Sequence, residues 1–445
     1  MKRIKIISSL ILGLTVTTGI LAGCSKPQNT TADTSKNSDK PVEITWWDYP
    51  NYATGASGEQ EKKIIENFNK KYPNIKVNLQ MIDFTSGPQK LSTAIASNSA
   101  PDLVYDFPGR IIDYARNGVM APLDDMFTDD LKKDVTGSIL DACKLDGKYY
   151  MYPINTAPNM MVFNKTMLDK AGLTSMLPLN KPDRLWTNDE YYALLKAIKE
   201  KVPGLAAPSA VYAKSSAGDQ GTRPYIANMG GGEIISKDLT KYDFNSAGNA
   251  QALQWIVDST KSGLTLKGGE ALTSSDMIDM FLGEKIAVSI LYNQVLKGTS
   301  QSKKATPFEE VYVPYPTPSA SQKPFLEAFV GGIGVFDNGN KDKIAAAKKL
   351  VDFIANDKDT FKQNLVSTGG FSVRSSVTGL YDNAEAKYAE SMIKYLGTYY
   401  NQVPGFAEMR THYFPMLQQV LLGQTTPQKG LDDFVTKANA TLSKK

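Results

Sequence analysis

Side chains able to do covalent or metal chemistry are scarce in this chain. One histidine, His412, and two cysteines, Cys24 and Cys143, are all that its 445 residues contain. A single histidine excludes a multi-histidine metal site and leaves a Ser-His-Asp triad without support. No GxxxxGK phosphate loop, GxGxxG turn or HExxH pair occurs, so neither a metal nor a cofactor is expected. Cys143 would need an imidazole to act as a nucleophile, and His412 is far along the chain, so a buried thiol is the expectation. Aspartate and glutamate total 46, and a pair of them flanking a glycosidic bond is the one catalytic arrangement the residue types leave open. The chemistry that remains is binding.

Cys24 has a different context. Lys2, Arg3 and Lys5 precede an apolar run from Ile6 to Ile20, and then Leu21, Ala22 and Gly23 lead into the cysteine. A charged start, an apolar stretch and small residues at its end make a secretory signal. The cysteine directly after them resembles the lipobox of bacterial lipoproteins. That resemblance implies cleavage before Cys24, a diacylglycerol on its sulfur, and anchoring at the extracellular face of the cell membrane. After Cys24, residues 25–41 hold no aromatic side chain and no apolar one larger than alanine apart from prolines; such a segment cannot offset its ordering entropy, and 24–41 reads as a disordered tether.

The remaining ~400 residues are enough for two lobes. At 42% hydrophobic and 10% aromatic, the composition is that of an ordinary globular body. The formal charge of +4 falls to about +1 once the three basic residues of the signal are removed, and no dense basic run occurs, so nucleic acid is not an expected partner. The body is expected to be a monomer.

Local patterns place the elements. Residues 42–47 are β-rich; Ile64, Ile65 and Phe68 share a helical face; residues 75–82 alternate; Leu91, Ala94 and Ile95 mark a short helix; residues 101–106 form a third strand. This β-α-β-α-β order predicts an α/β lobe with a largely parallel sheet, whose ligand would sit beyond the C-terminal strand ends. Asp146-Gly147 predicts a hairpin, and Thr187 three residues before Glu190 predicts a capped helix. Further strands are expected at 285–292 and 329–336, with helices over 384–397, 408–422 and 427–442.

Taken in order, the runs at 44–47 (ITWW), 68–77 (FNKKYPNIKV), 99–104 (SAPDLV), 117–123 (NGVMAPL), 145–153 (LDGKYYMYP), 162–165 (VFNK), 280–287 (MFLGEKIA), 331–334 (GGIG) and 371–374 (FSVR) resemble the maltose-binding-like family of extracellular solute-binding proteins. That family serves bacterial sugar ABC importers. The resemblance implies a two-lobe, periplasmic-binding-protein-like α/β fold with a ligand cleft between lobes joined by crossover segments. By position, crossings are expected near 155–157, 326–331 and 368–371, giving one lobe of 42–155 plus 327–368 and another of 156–326 plus 369–445. It also implies a carbohydrate ligand, an ABC permease partner and no chemistry. A non-sugar solute (peptide, polyamine or phosphodiester) is the alternative ligand, and a secreted carbohydrate-active enzyme the alternative class.

Sugars present apolar C–H faces and a rim of hydroxyls, so a sugar site calls for aromatic surfaces and short polar side chains. The family's pattern places such contacts on Trp47, Asp48 and Tyr49 at the first strand end, Asp106 at the third, Asn155 beside the first crossing, and Gln220. Tyr292 and Asn293 follow at a later strand end, with Tyr292 as an aromatic platform. Gly331 and Gly332 would let backbone approach the ligand, and Arg374 and Arg410 would bond its hydroxyls. Trp46 and Trp47 point to opposite faces, with Trp47 expected in the cleft. Trp186 and Trp255 are expected to be packing residues.

Overall fold

The computed structural model of the protein describes residues 41–84, 86–214 and 218–443. Cys24, the signal and the tether as far as residue 40 lie outside the described residues, and Pro41 onward forms one compact unit. In β1 (Val42–Asp48) Ile44 and Trp46 are fully buried while Glu43 is exposed and Trp47 half-buried, as alternation requires. The helix α1 (Glu59–Lys71) lays Ile64 and Phe68 into the same core. Then follow β2 (Ile75–Met81), α2 (Gly87–Ala96), β3 (Leu103–Asp106) and α3 (Pro108–Arg116). β1 pairs in parallel with β2 and with β3, so the C-terminal ends of all three strands meet at one edge.

A hairpin follows, made of β4 (Lys144–Leu145) and β5 (Lys148–Tyr149) and turned by Asp146 and Gly147, with φ of 50° and 80°. Positive φ at both turn residues matches the right-handed twist of the flanking strands. β6 (Tyr152–Pro158) and β7 (Met160–Asn164) come next, then β8 (Val288–Tyr292), β9 (Glu310–Val313), β10 (Ala328–Val335) and β11 (Phe371–Ser372). The first sheet has the order β11-β6-β10-β3-β1-β2, and the second is β8-β7-β9. The first sheet is therefore mixed: β10 runs antiparallel to both β3 and β6, and β11 is antiparallel to β6. The expectation of a largely parallel sheet holds for β1 to β3 only, because strands from the second half of the chain complete that sheet.

Each sheet has its own core. Ile44, Trp46, Phe68, Leu103, Ile333 and Leu350 are buried around the first; Phe163, Trp186, Leu194, Leu253, Phe281 and Leu417 are buried around the second. The three segments expected to cross between lobes are neighbouring strands, β6, β10 and β11. A boundary at residue 155 falls inside β6, and β11 is hydrogen-bonded to Thr156 and Asn155, so the first sheet extends to Ser372 rather than stopping before 369. Thr187 and Glu190 form the expected capping box. No helix among the described residues is long and apolar enough to cross a membrane.

Candidate ligand site

Each of the three parallel strands hands over to an aromatic side chain. Tyr49 follows β1 directly, Phe107 follows β3 directly, and Phe84 lies three residues past β2. Because the strands end at one edge, the rings form a row. Tyr49 and Phe84 stack with centroids 5.1 Å apart and planes 10° apart; Phe84 and Phe107 follow at 6.2 Å and 18°. Phe329 of β10 then meets Phe107 edge-on at 5.1 Å. Phe84 is 46% exposed, an unusual amount for a phenylalanine, and Phe107 and Phe329 are half-buried.

Arg110, one turn into α3, lies against this row with its guanidinium 4.9 Å from the Tyr49 ring centroid and 5.0 Å from that of Phe107. Asp106 holds it there. Arg110 Nε donates to Asp106 Oδ2 at 2.7 Å, Nη2 donates to Oδ1, and the Phe107 N–H donates to Oδ1 at 2.7 Å. Burial holds the Asp106 carboxyl above its ordinary value, and the Arg110 charge works against that. The pair is fork-to-fork and neutral overall, which fixes the guanidinium plane without adding net charge to the site. Tyr49 is fully buried at the inner end of the row, so the apolar ledge open to a ligand is formed by Phe84, Phe107 and Phe329 beside a neutral, hydrogen-bonding ion pair. It suits a ligand with C–H faces and hydroxyls. Among the described residues no group of three metal-ligating side chains converges.

Next to this edge, Tyr105 of β3 donates its hydroxyl to Asn155 Oδ1 at 2.7 Å, and Asn155 Nδ2 donates to Thr368 Oγ1 at 2.8 Å. The ledge is thus tied to β6 and to the segment entering β11. On the far side of β10, Glu327 accepts from Tyr400 Oη at 2.5 Å and from Arg223 Nη2 at 3.2 Å. Arg223 also pairs with Asp219, which in turn accepts Arg410 Nε at 2.9 Å and Nη2 at 2.8 Å.

Residues 52–360 match the family model described as bacterial extracellular solute-binding protein. The chain belongs to that family. It is 26% identical over 402 residues to a binding protein of Brucella abortus (strain 2308), covering 88% of this chain and 91% of the relative. Against the melibiose/raffinose/stachyose-binding protein MelE of Bacillus subtilis (strain 168) it is 29% identical over 211 residues, 47% of this chain and 44% of that one. The solved ABC substrate-binding protein of Listeria monocytogenes in complex with cycloalternan superposes with a TM-score of 0.70 at 23% identity, covering 91% of this chain and 100% of that chain. That likeness shows the fold: two lobes of the periplasmic-binding type.

The expected contact residues of this solute-binding protein do not form one cluster. Asp48, Tyr49 and Asp106 do come together at this edge, but all three are buried, and Tyr49 backs the ring row from its inner end. Asp48 lies fully buried beneath it, its Oδ1 accepting Asn51 Nδ2 at 2.9 Å. Trp47 is half-buried with the Lys90 ammonium 5.3 Å over its ring, on the α2 side and outside the row. The platform expected at Tyr292 is corrected. Its ring is fully buried between Phe281 and Tyr312, and its hydroxyl donates to Glu310 at 3.0 Å, because every residue of β8 is buried. Asn293 caps the helix Gln294–Ser300 and donates to Asn159 Oδ1 at 2.7 Å. Asn155 spends both amide groups on Tyr105 and Thr368.

Gly331 and Gly332 are also corrected. A Cβ on Gly331 would run into Asn155 and lie 2.9 Å from Tyr105, and one on Gly332 would strike Met151 and Tyr152. These glycines let strands and side chains pack closely across a bulge in β10. Arg374 donates to Tyr152 Oη at 2.8 Å and Asn356 Oδ1 at 2.6 Å, and Arg410 is engaged by Asp219. Gln220 is half-buried in the first turn of the helix Asp219–Gly230. Cys143 is a buried free thiol, raised by that burial above its ordinary value. Phe84, Phe107, Phe329 and Arg110, which form the ring row's exposed part and the cation beside it, were not among the expected residues. Three of them carried a readable signal: Phe107 is the first residue past a strand already recognised, Arg110 stands four residues after Asp106, and Phe84 lies just past β2 before the Gly87-Pro88 helix start.

Proposed function

We propose that this protein captures a sugar or oligosaccharide outside the cell and delivers it to the permease of an ABC importer. The observation that carries this reading is the set of partly exposed rings Phe84, Phe107 and Phe329, backed by the buried Tyr49 and set at the edge where parallel strands of an α/β lobe finish. Ring faces accept the apolar C–H face of a pyranose, and the Arg110–Asp106 pair beside them hydrogen-bonds hydroxyls without demanding a charged ligand. The saccharides named for the relative MelE and for the Listeria structure support the same ligand class. One lobe comprises about residues 42–155 with 327–372 and the other the remainder, closing about β6, β10 and β11 as hinge segments. A diacylglycerol on Cys24 and the tether after it keep this body at the outer membrane face. A non-sugar solute is the competing ligand. A polyamine would want converging free carboxylates, whereas Asp106 is already neutralised by Arg110.

A thermal-shift series with raffinose, maltotriose and glycerophosphocholine tests this. At ~100 times its dissociation constant a true ligand adds roughly 2.7 kcal/mol, a melting shift of a few degrees for a body of this size. Phe84→Ala and Phe107→Ala, each still folded, should lose most of the shift caused by a saccharide. A shift with glycerophosphocholine alone overturns the ligand class; a saccharide shift that survives both substitutions overturns the placement of the site.

A further inference from the structure

The ring row belongs to the first sheet alone, and the second sheet begins beside its edge. β10 runs antiparallel to both β3 and β6, so β3 and β6 point the same way. Asn155 of β6 and Asp106 of β3 pair with the adjacent residues Gly331 and Gly332 of β10, and β6 then runs on past that level to Pro158. Asn159 alone separates it from Met160, where β7 opens the second sheet. Met160 pairs with Tyr292 of the antiparallel β8. The end of β8 and the residues after it therefore stand at the edge of the second sheet nearest the ledge.

Two amides follow β8, and they are used differently. Asn293 is fully engaged: its Oδ1 accepts the Leu296 N–H at 2.8 Å as a helix cap, and its Nδ2 donates to Asn159 Oδ1 at 2.7 Å. Gln294 is only 9% exposed, yet its Oε1 is buried without a hydrogen-bond partner. The turn lies against the segment entering β11, since a Cβ on Gly369 would stand 3.4 Å from Val295 Cα and 3.7 Å from the Gln294 carbonyl oxygen. Thr368, next to Gly369, accepts Asn155 Nδ2, and Asn155 Oδ1 accepts the Tyr105 hydroxyl. A short line of contacts thus joins Gln294 to Tyr105, the residue before Asp106. Buried amide oxygens nearly always meet a donor, and the helix already has its cap in Asn293.

We propose that Gln294 is the hydroxyl-recognising side chain of the second lobe: its Oε1 accepts an O–H of the saccharide whose C–H face lies on Phe84, Phe107 and Phe329. The proposal rests on the sugar-capture reading and adds selectivity to it. The ledge accepts an apolar face that many pyranoses share. A buried acceptor instead reads one hydroxyl, because an analogue lacking that group leaves the amide oxygen enclosed and unbonded in the complex. In the ligand-free protein the same oxygen is a polar group held without a donor, so stability is given up for recognition.

Gln294→Met keeps most of the side-chain volume and removes the amide. Without ligand, the variant should melt at or above the wild-type temperature, since it loses an unpartnered buried polar group. For whichever of raffinose and maltotriose binds, titration calorimetry should show the dissociation constant rising ~3-fold or more, as expected for one lost hydrogen bond to the ligand. A smaller rise in the folded variant overturns the role of Gln294 and leaves the capture reading standing. A ligand-free melting temperature lowered by several degrees, or a variant that does not fold, also overturns it, because an amide that folding requires has an internal partner. A wild type that binds neither sugar overturns the capture reading, and Gln294 as a sugar contact with it.

Discussion

Replacing Arg223 by methionine probes how the second lobe holds the crossing strand. The Arg223 side chain is fully buried, pairs with Asp219, and donates to Glu327, which immediately precedes β10. Its guanidinium also lies 5.1 Å from the Tyr400 ring and 5.4 Å from that of Phe406. Methionine fills much of the volume but leaves Asp219 with Arg410 alone and Glu327 with the Tyr400 hydroxyl alone. Breaking a buried pair in this way costs about 3–5 kcal/mol, because a charge is left without compensation. Burial already holds Glu327 above its ordinary value, so the orphaned carboxyl takes up a proton and the cost belongs near the lower end, about 3 kcal/mol. With unfolding entropy near 2.1 cal/mol/K per residue over ~400 residues, that is a fall of about 4 degrees in Tm if the body unfolds as one unit. Urea unfolding followed by tryptophan fluorescence measures it. Adding Glu327→Gln to Arg223→Met should restore about 1–3 kcal/mol relative to the sum of the single changes, since the two residues share one contact. The loss should shrink as pH falls: a raised carboxyl contributes stability below its unfolded value and loses it as pH rises through its folded value. A cost under ~1 kcal/mol, or a double variant equal to the sum of the singles, would refute the claim that this pair ties the lobe to β10.

Tyr292→Phe should cost about 1 kcal/mol through loss of the bond to Glu310, read from the urea midpoint, and should leave the saccharide-induced melting shift unchanged. Loss of that shift would restore Tyr292 as a contact residue. Cys24→Ala should release the protein from membranes or leave it as uncut precursor, read by fractionation and by mass spectrometry for a diacylglycerol adduct. Unchanged fractionation, with no adduct on the wild type, would remove the anchor.

Elements governed by neighbours in the chain were legible in the sequence. Alternation over β1 and β2, the helical face of Ile64 and Phe68, the Asp146-Gly147 turn and the Thr187–Glu190 box all depend on contacts within a few residues. The order of α/β elements and the string of short family-like runs set the fold class, and the strand-end rule pointed to the edge where the ring row lies. The charged start, apolar run and Cys24 set the expectation of an exported, anchored protein by composition alone.

Which side chains line that edge was a tertiary decision. Phe329 comes more than two hundred residues after Phe107 and meets it only because β10 inserts between β3 and β6. Tyr292 stands at a strand end like Tyr49, and both rings are fully buried, that of Tyr292 between Phe281 and Tyr312, because in a helix-covered sheet both faces are buried and alternation no longer separates core from site. Arg410 shows no partner within its own stretch of sequence, and its carboxylate partner Asp219 is 191 positions away. A sequence periodicity states that a residue is buried; the strand order and helix placement state against what, and that difference decides whether an aromatic ring is core or ledge.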